Sequence, residues 1–237
     1  MHFDYGKVDW RFVSRIMDEN SQRLSRTRKG VSDTSTSADK RPLLLAGEQL
    51  RRQCRRNEEQ VHRFIFGTRL SPPPRGPAEV LDLLHTIADM TNQGLLPAGR
   101  LRTWAIPAHP GSVGAAGMGA VAKDKLPPEK LADAIEGFAG LVHQRWSELT
   151  ADPVPLAAWA EWELNGGALH PFYDGCGRIA RSFGGLLLVR GSCLLPLYDD
   201  SASYFRHGNQ GLAEFISYVR RRIEDCSGWI SAWRHET

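Results

Sequence analysis

The chain has few cysteines. There are 4 in 237 residues (Cys54, Cys176, Cys193 and Cys226), and no two form a CxxC pair. This argues against a disulfide framework and against a thiolate zinc cluster. Free thiols in a reducing compartment are the expectation, so we expect a cytoplasmic protein. Long apolar runs are also missing. Residues 43–46 and 186–189 are among the longest and fall far short of the ~20 residues that span a bilayer. The opening MHFDYGKVDW has no basic segment followed by an apolar one, so it does not read as a signal peptide. Neither sign of charge dominates. With 30 Lys and Arg against 27 Asp and Glu, the net charge is +3, which gives no ground for nucleic-acid or membrane binding. No internal repeat is visible. The remaining composition, 41% hydrophobic and 24% charged, is that of an ordinary globular protein.

The charge is unevenly placed. Residues 1–75 carry 16 Lys or Arg and 9 Asp or Glu, whereas residues 76–237 carry 14 and 18. We therefore expect a basic N-terminal helical region over 1–75 and a mildly acidic domain over 76–237. Within the first region, residues 8–24 have a helical apolar pattern. Residues 25–41 are polar and Ser/Thr-rich and read as a flexible connection. A second helix is expected from Pro42 to about Phe66. Its run Arg51-Arg52-Gln53-Cys54-Arg55-Arg56 reads as a solvated face or as a patch for an acidic partner. The Pro-rich stretch at 71–77 ends the region.

In the second region, apolar residues at three- and four-residue spacing predict a helix over 77–92. Residues 99–122 are small, Gly-rich and partly strand-like, as in a hairpin or flap. Further helices are expected from Pro127 to about Glu148, over 156–164, up to Gly191, and over 205–233 with a break near Gly228. The expected fold class is all-α with one short β-hairpin.

One stretch carries chemistry: His170-Pro-Phe-Tyr-Asp-Gly-Cys-Gly-Arg-Ile-Ala-Arg181. It joins two expected helices, with Gly175 and Gly177 flanking Cys176 at the start of the second. Glycines there let backbone N–H groups approach an anion, and the helix dipole adds positive potential. Arg178 and Arg181 share a helix face, which makes a polyphosphate site. Asp174 is placed to hold the divalent cation that phosphates bring, since Mg²⁺ takes one or two carboxylates plus phosphate oxygens. His170 is a general-base candidate. The same residues would also suit a plain turn, with Gly for geometry, Asp as a cap, Arg in surface ion pairs and His packed in the loop.

The stretch resembles the signature of the Fic/Doc (Fido) family, HPFx(D/E)GN(G/K)R followed by a second Arg. Pro155-Leu-Ala-Ala-Trp-Ala160 resembles the start of the helix that precedes that signature, and Leu126-Pro-Pro128 the segment after the family's flap. The likeness spans residues 76–225. It implies a helical Fido core with a β-hairpin flap, and transfer of AMP from ATP to a hydroxyl side chain of a target protein. His170 would be the base and Asp174 would hold Mg²⁺. Arg178, with the amides of Gly175, Cys176 and Gly177, would stabilise the leaving pyrophosphate, and Arg181 would contact the distal phosphate. Gly177 in place of Lys resembles the nucleotidyl-transferring branch.

Cys176 departs from the family's Asn, whose amide donates toward the α-phosphate. A thiol is a poor donor. Three readings follow: an active enzyme altered in rate or transferred group, a degenerate domain that binds nucleotide or partner without catalysis, or a reactive thiol whose pKa is lowered at the helix N-terminus. Ser14-Arg-Ile-Met-Asp18-Glu19-Asn20 resembles the family's inhibitory helix, (S/T)xxxE(G/N), with Asp18 in the Glu position and Glu19 one residue late. It also reads as an acidic pair on a solvated helix.

Overall fold

The computed structural model describes residues 2–26, 47–95, 101–102, 125–165, 167, 169–172 and 174–234. Among them are eight α-helices: α1 (Trp10–Arg26), α2 (Gly47–Gly67), α3 (Pro77–Asn92), α4 (Leu131–Gln144), α5 (Val154–Asn165), α6 (Cys176–Arg190), α7 (Ser201–Asn209) and α8 (Leu212–Arg234). Sequence signals account for several boundaries. Pro77 opens α3, where its missing N–H leaves nothing unpaired. Asp200 caps α7 by accepting the Ser203 N–H at 2.8 Å. Gly191 follows the last residue of α6.

α6 is the central helix. Ile179, Ala180, Phe183, Leu186 and Leu187 are wholly buried, because α2, α3 and α5 all pack on it. α1 lies on α2, and α8 lies on α5. The all-α expectation holds for the described residues, whose one β element is an antiparallel bridge between Leu101 and Phe172. The rest of the expected hairpin, residues 27–41 of the polar connection and residues 42–46 of the second expected helix lie outside the described residues.

Three expectations change. Phe12, Val13, Ile16, Val61 and Ile65 belong to the same hydrophobic core as Leu84, Ile87 and Phe183. The division at residue 75 is thus a boundary of charge, across which the core is continuous. The helix expected from Pro127 to Glu148 is interrupted by single 3₁₀ turns at Pro128–Lys130 and Trp146–Thr150, on either side of α4. The C-terminal break falls at Gly211, whose φ of 112° lies outside the helical region, whereas Gly228 continues α8.

Buried asparagines fasten the N-terminal helices. Asn57 on α2 donates to the carbonyls of Thr91 and Gln93 at the end of α3, at 3.1 and 2.9 Å. Asn20 on α1 donates to Pro196 O and accepts from Tyr198 N–H, both at 2.8 Å. No helix among the described residues is long and apolar enough to cross a membrane.

His62 on α2 is buried against α1, with Nδ1 3.0 Å from Ser14 Oγ and 3.9 Å from an Asp18 carboxylate oxygen. Burial outweighs that half-exposed carboxylate and holds the imidazole down at about 4, against an ordinary value of 6.5. Between these values the unfolded chain binds a proton that the folded chain does not. Stability is therefore level above the window and falls as pH drops through it. Urea midpoints from pH 8 to pH 4 for wild type and His62→Gln check this: wild type should lose up to about 3 kcal/mol more than the variant.

Candidate active site

The loop between α5 and α6 is held by its own carbonyl groups. Arg102, buried to 1% exposure, donates through Nε to His170 O at 2.8 Å and through Nη2 to Leu126 O and, at 3.4 Å, to Leu169 O. Its backbone N–H reaches Pro171 O at 2.9 Å, and Lys125 Nζ donates to Gly167 O at 2.7 Å. A buried carbonyl without a donor is costly, so these contacts fix the loop's path. They hold His170 at a positive φ of 35°, a conformation uncommon outside glycine.

His170 Nδ1 lies 2.8 Å from the backbone carbonyl of Asn165, the last residue of α5. A carbonyl only accepts, so the proton sits on Nδ1, and Nε2 carries the lone pair. Burial lowers the His170 pKa. The Asn165 bond opposes the shift, and the nearby cations Lys125 and Arg102 add to it. The ring is therefore neutral near pH 7, as a proton acceptor must be.

The candidate anion-binding end lies at the start of α6. Gly175 precedes the helix at φ 73°, a left-handed conformation. A Cβ there would also come within 3.1 Å of Asn92 Oδ1 and 3.3 Å of Arg178 Nη2. The first helical bond runs from Ile179 N–H to Gly175 O at 2.8 Å. This leaves the N–H groups of Cys176, Gly177 and Arg178 without acceptors inside the helix. At Gly177 a Cβ would meet Arg181 Nη1 at 3.2 Å and Asn165 Oδ1 at 3.3 Å, so glycine keeps this approach open. Arg178 Nη2 is 3.7 Å from the half-exposed Asp174 carboxylate, a loose pair. Arg181 makes no ion pair at all among the described residues.

Both guanidinium groups line a cleft of about 460 Å³, partly open to solvent, together with Glu58, His62, Glu161 and Ser182. Glu58, from α2, sits in the field of Arg178 and Arg181 and accepts a hydrogen bond from Ser21. Burial nevertheless raises its pKa. The residues expected to inhibit lie elsewhere. Glu19 pairs with Arg23 of its own helix at 2.8 Å, and Asp18 accepts from Ser14 Oγ at 3.3 Å. The carboxylate that faces the two arginines is Glu58. The pattern (S/T)xxxE(G/N) passes over it because Cys54 and Glu59 occupy its first and last positions.

No protein-family model matches the chain, and no curated protein matches it. Solved structures do match. Fic-1 from C. elegans superposes with a TM-score of 0.56 at 18% identity, over 95% of this chain and 62% of that one. A Fic family protein from Desulfovibrio desulfuricans G20 matches with a TM-score of 0.49 at 14% identity, over 90% of this chain and 66% of that one. The fold is that of a Fic domain. The chain spans about 62% of the length of the Fic-1 structure.

Within this Fic fold, His170, Asp174, Gly175, Gly177, Arg178 and Arg181 come together at one helix start. Cys176 turns away from it. Its side chain is buried, and Sγ donates to Phe172 O at 3.3 Å, four residues back. Of the three readings of Cys176, the lowered, reactive thiol does not fit this burial. Burial outweighs the helix field and pushes the thiol up to about 12. Its contribution to an anion site is its backbone N–H.

Sequence reasoning missed Arg102, Glu58 and Glu161. Arg102 gives no sequence signal, because its partners are backbone carbonyls. Glu161 left one: it is an acid on the apolar face formed by Ala157, Ala160 and Leu164. Thiol labelling of the native protein with a maleimide, read by peptide mass spectrometry, should modify Cys54 first, the one cysteine that is not buried. Cys176 should label only after unfolding.

Proposed function

We propose that this chain is a Fic-type transferase that moves a nucleotidyl group, AMP from ATP, onto a hydroxyl side chain of a target protein. One observation carries the reading. A neutral imidazole protonated on Nδ1 stands in the same short loop as a helix start whose first three N–H groups have no acceptor inside the helix, and as two arginines that lack close carboxylate partners among the described residues. Transfer of a phosphoryl-type group needs positioning and charge neutralisation more than covalent chemistry.

In the reaction, Nε2 of His170 accepts the proton of the target hydroxyl. The hydroxyl oxygen bonds to the α-phosphorus while the α–β bridging bond breaks, and pyrophosphate leaves. The N–H groups of Cys176, Gly177 and Arg178, with the Arg178 guanidinium, take up the charge on the leaving group. Arg181 holds the distal phosphate.

The residues present suit Mg²⁺. Asp174 offers a half-exposed carboxylate with one loose partner. Among the described residues there is no cluster of three acidic, His or Cys side chains that would form a cage of its own. A single carboxylate completed by phosphate oxygens is the arrangement Mg²⁺ takes. Asp174 would hold the ion, whose charge offsets that of the phosphates. Glu58 occupies the field of both arginines and would compete with the distal phosphate, which makes it the inhibitory residue of this reading.

The buried Cys176 favours one alternative, a Fic domain that binds nucleotide or a partner without turnover. Loss of one preorganised donor slows chemistry by about a hundred- to a thousandfold, which impairs a standard transferase without abolishing binding. Intact-protein mass spectrometry after incubation with Mg²⁺ and ATP separates the readings. An AMP-sized adduct on wild type, absent in His170→Ala, is the expected result. An adduct on Cys176→Asn alone would mean that the cysteine has disabled the site. If no variant forms an adduct although ATP binds, the binding module is the better account.

Glu58→Gln removes the competing charge. ATP affinity measured by calorimetry should rise at least tenfold over wild type, because a charge-neutral partner no longer opposes the phosphate. Unchanged affinity would rule out Glu58 as the competitor.

A further inference from the structure

Behind the loop lies a polar chain that the reaction scheme does not use. Glu161 on α5 is buried to 3% exposure. Its two oxygens accept from Tyr198 Oη and Tyr204 Oη, each at 2.7 Å. Tyr204, on α7, in turn accepts from Asn165 Nδ2 at 3.1 Å. An amide N–H only donates, so the Tyr204 proton points to Glu161, and the chain runs one way, from Asn165 through Tyr204 to Glu161. The backbone carbonyl of that same Asn165 accepts from His170 Nδ1 at 2.8 Å. Glu161 and Asn165 stand one turn apart on α5, so a single helix end carries both the anchor and the group it steadies.

We propose that Glu161, Tyr204 and Asn165 are positioning residues that set the ring orientation and tautomer of His170. Asn165 is the last residue of α5, where a helix ordinarily frays. With its side chain tied through Tyr204 to a buried carboxylate, the terminal carbonyl is aimed at Nδ1. That fixes the lone pair on Nε2. The same tie places Asn165 Oδ1 beside Gly177, where a Cβ would lie 3.3 Å from it, so the base and the anion-binding helix start share one strut. The proposal rests on His170 being the base, and its test has an arm that needs no turnover.

That arm is long-range ¹H–¹⁵N NMR of the histidine side chains on the full chain, which reads the protonated nitrogen directly. In wild type at pH 7.5, His170 should show a protonated Nδ1 and a bare Nε2. In Tyr204→Phe, which keeps the ring but removes the link, both ¹⁵N shifts should move toward those of mixed tautomers. Asn165→Ala should do the same by a second route. Tyr198→Phe is the control for a merely structural effect, because it takes the other hydroxyl from the same carboxylate and leaves the Asn165–Tyr204 link in place. It should lower the melting temperature and keep the wild-type His170 signature. A pure Nδ1–H tautomer in both Tyr204→Phe and Asn165→Ala would overturn the proposal, as would equal disturbance by Tyr198→Phe. The second arm is turnover with ATP: kcat should fall about tenfold in Tyr204→Phe, with KM for ATP unchanged. If wild type shows no transfer while the NMR arm behaves as expected, the transferase reading fails and the positioning stands.

Discussion

A single buried guanidinium decides the shape of the site. The segment between α5 and α6 folds back on itself and directs several carbonyls toward Arg102. Arg102 supplies donors to most of these at once, from its side chain and its backbone. A planar group with five fixed donors suits this task better than a flexible ammonium would. His170 keeps its unusual backbone conformation because the carbonyls on both sides of it are tied down, and the geometry of the helix start follows from where that loop ends.

The electrostatics of the cleft form a second constraint. Two arginines and two glutamates meet there, and the pKa of each glutamate is raised by burial while the cations oppose the shift. The two acids differ in what satisfies them. Both oxygens of Glu161 are taken by phenols, so it belongs to the framework. Glu58 has a serine hydroxyl and the open field of the arginines, so it is the one an anion of higher charge can displace electrostatically. In the proposed reaction, Arg178 and Arg181 would face a choice between an internal carboxylate and an external phosphate.

Much of this could be read from the chain, for identifiable reasons. Periodicity located α3 to the residue, because its apolar stripe and its opening proline agree. The loop signature singled out His170, Asp174, Arg178 and Arg181, which the structure brings together at the start of α6, because phosphate chemistry demands those residue types close together in sequence. What could not be read depends on pairing at long range. Arg102 meets carbonyls of residues some seventy positions away, and carbonyls carry no sequence identity. Glu58 replaced Asp18 and Glu19 as the facing acid because helix rotation and the packing of α2 on α6 decide which carboxylate points inward. Of the three readings of Cys176, the lowered thiol fails because burial in the core outweighs the helix field.

The placement of α2 has a consequence for control. This helix brings Glu58 to the arginines, yet Val61 and Ile65 on the same helix are core residues, and Asn57 is bonded to the end of α3. A regulator built as a detachable arm could be released whole. If Glu58 is the inhibitory residue proposed above, it is part of the core framework: lifting α2 away would open the hydrophobic interior and strip donors from the carbonyls of Thr91 and Gln93. Any release of Glu58 must therefore be a local event, a swing of one side chain or the gain of a proton, with the fold standing still around it.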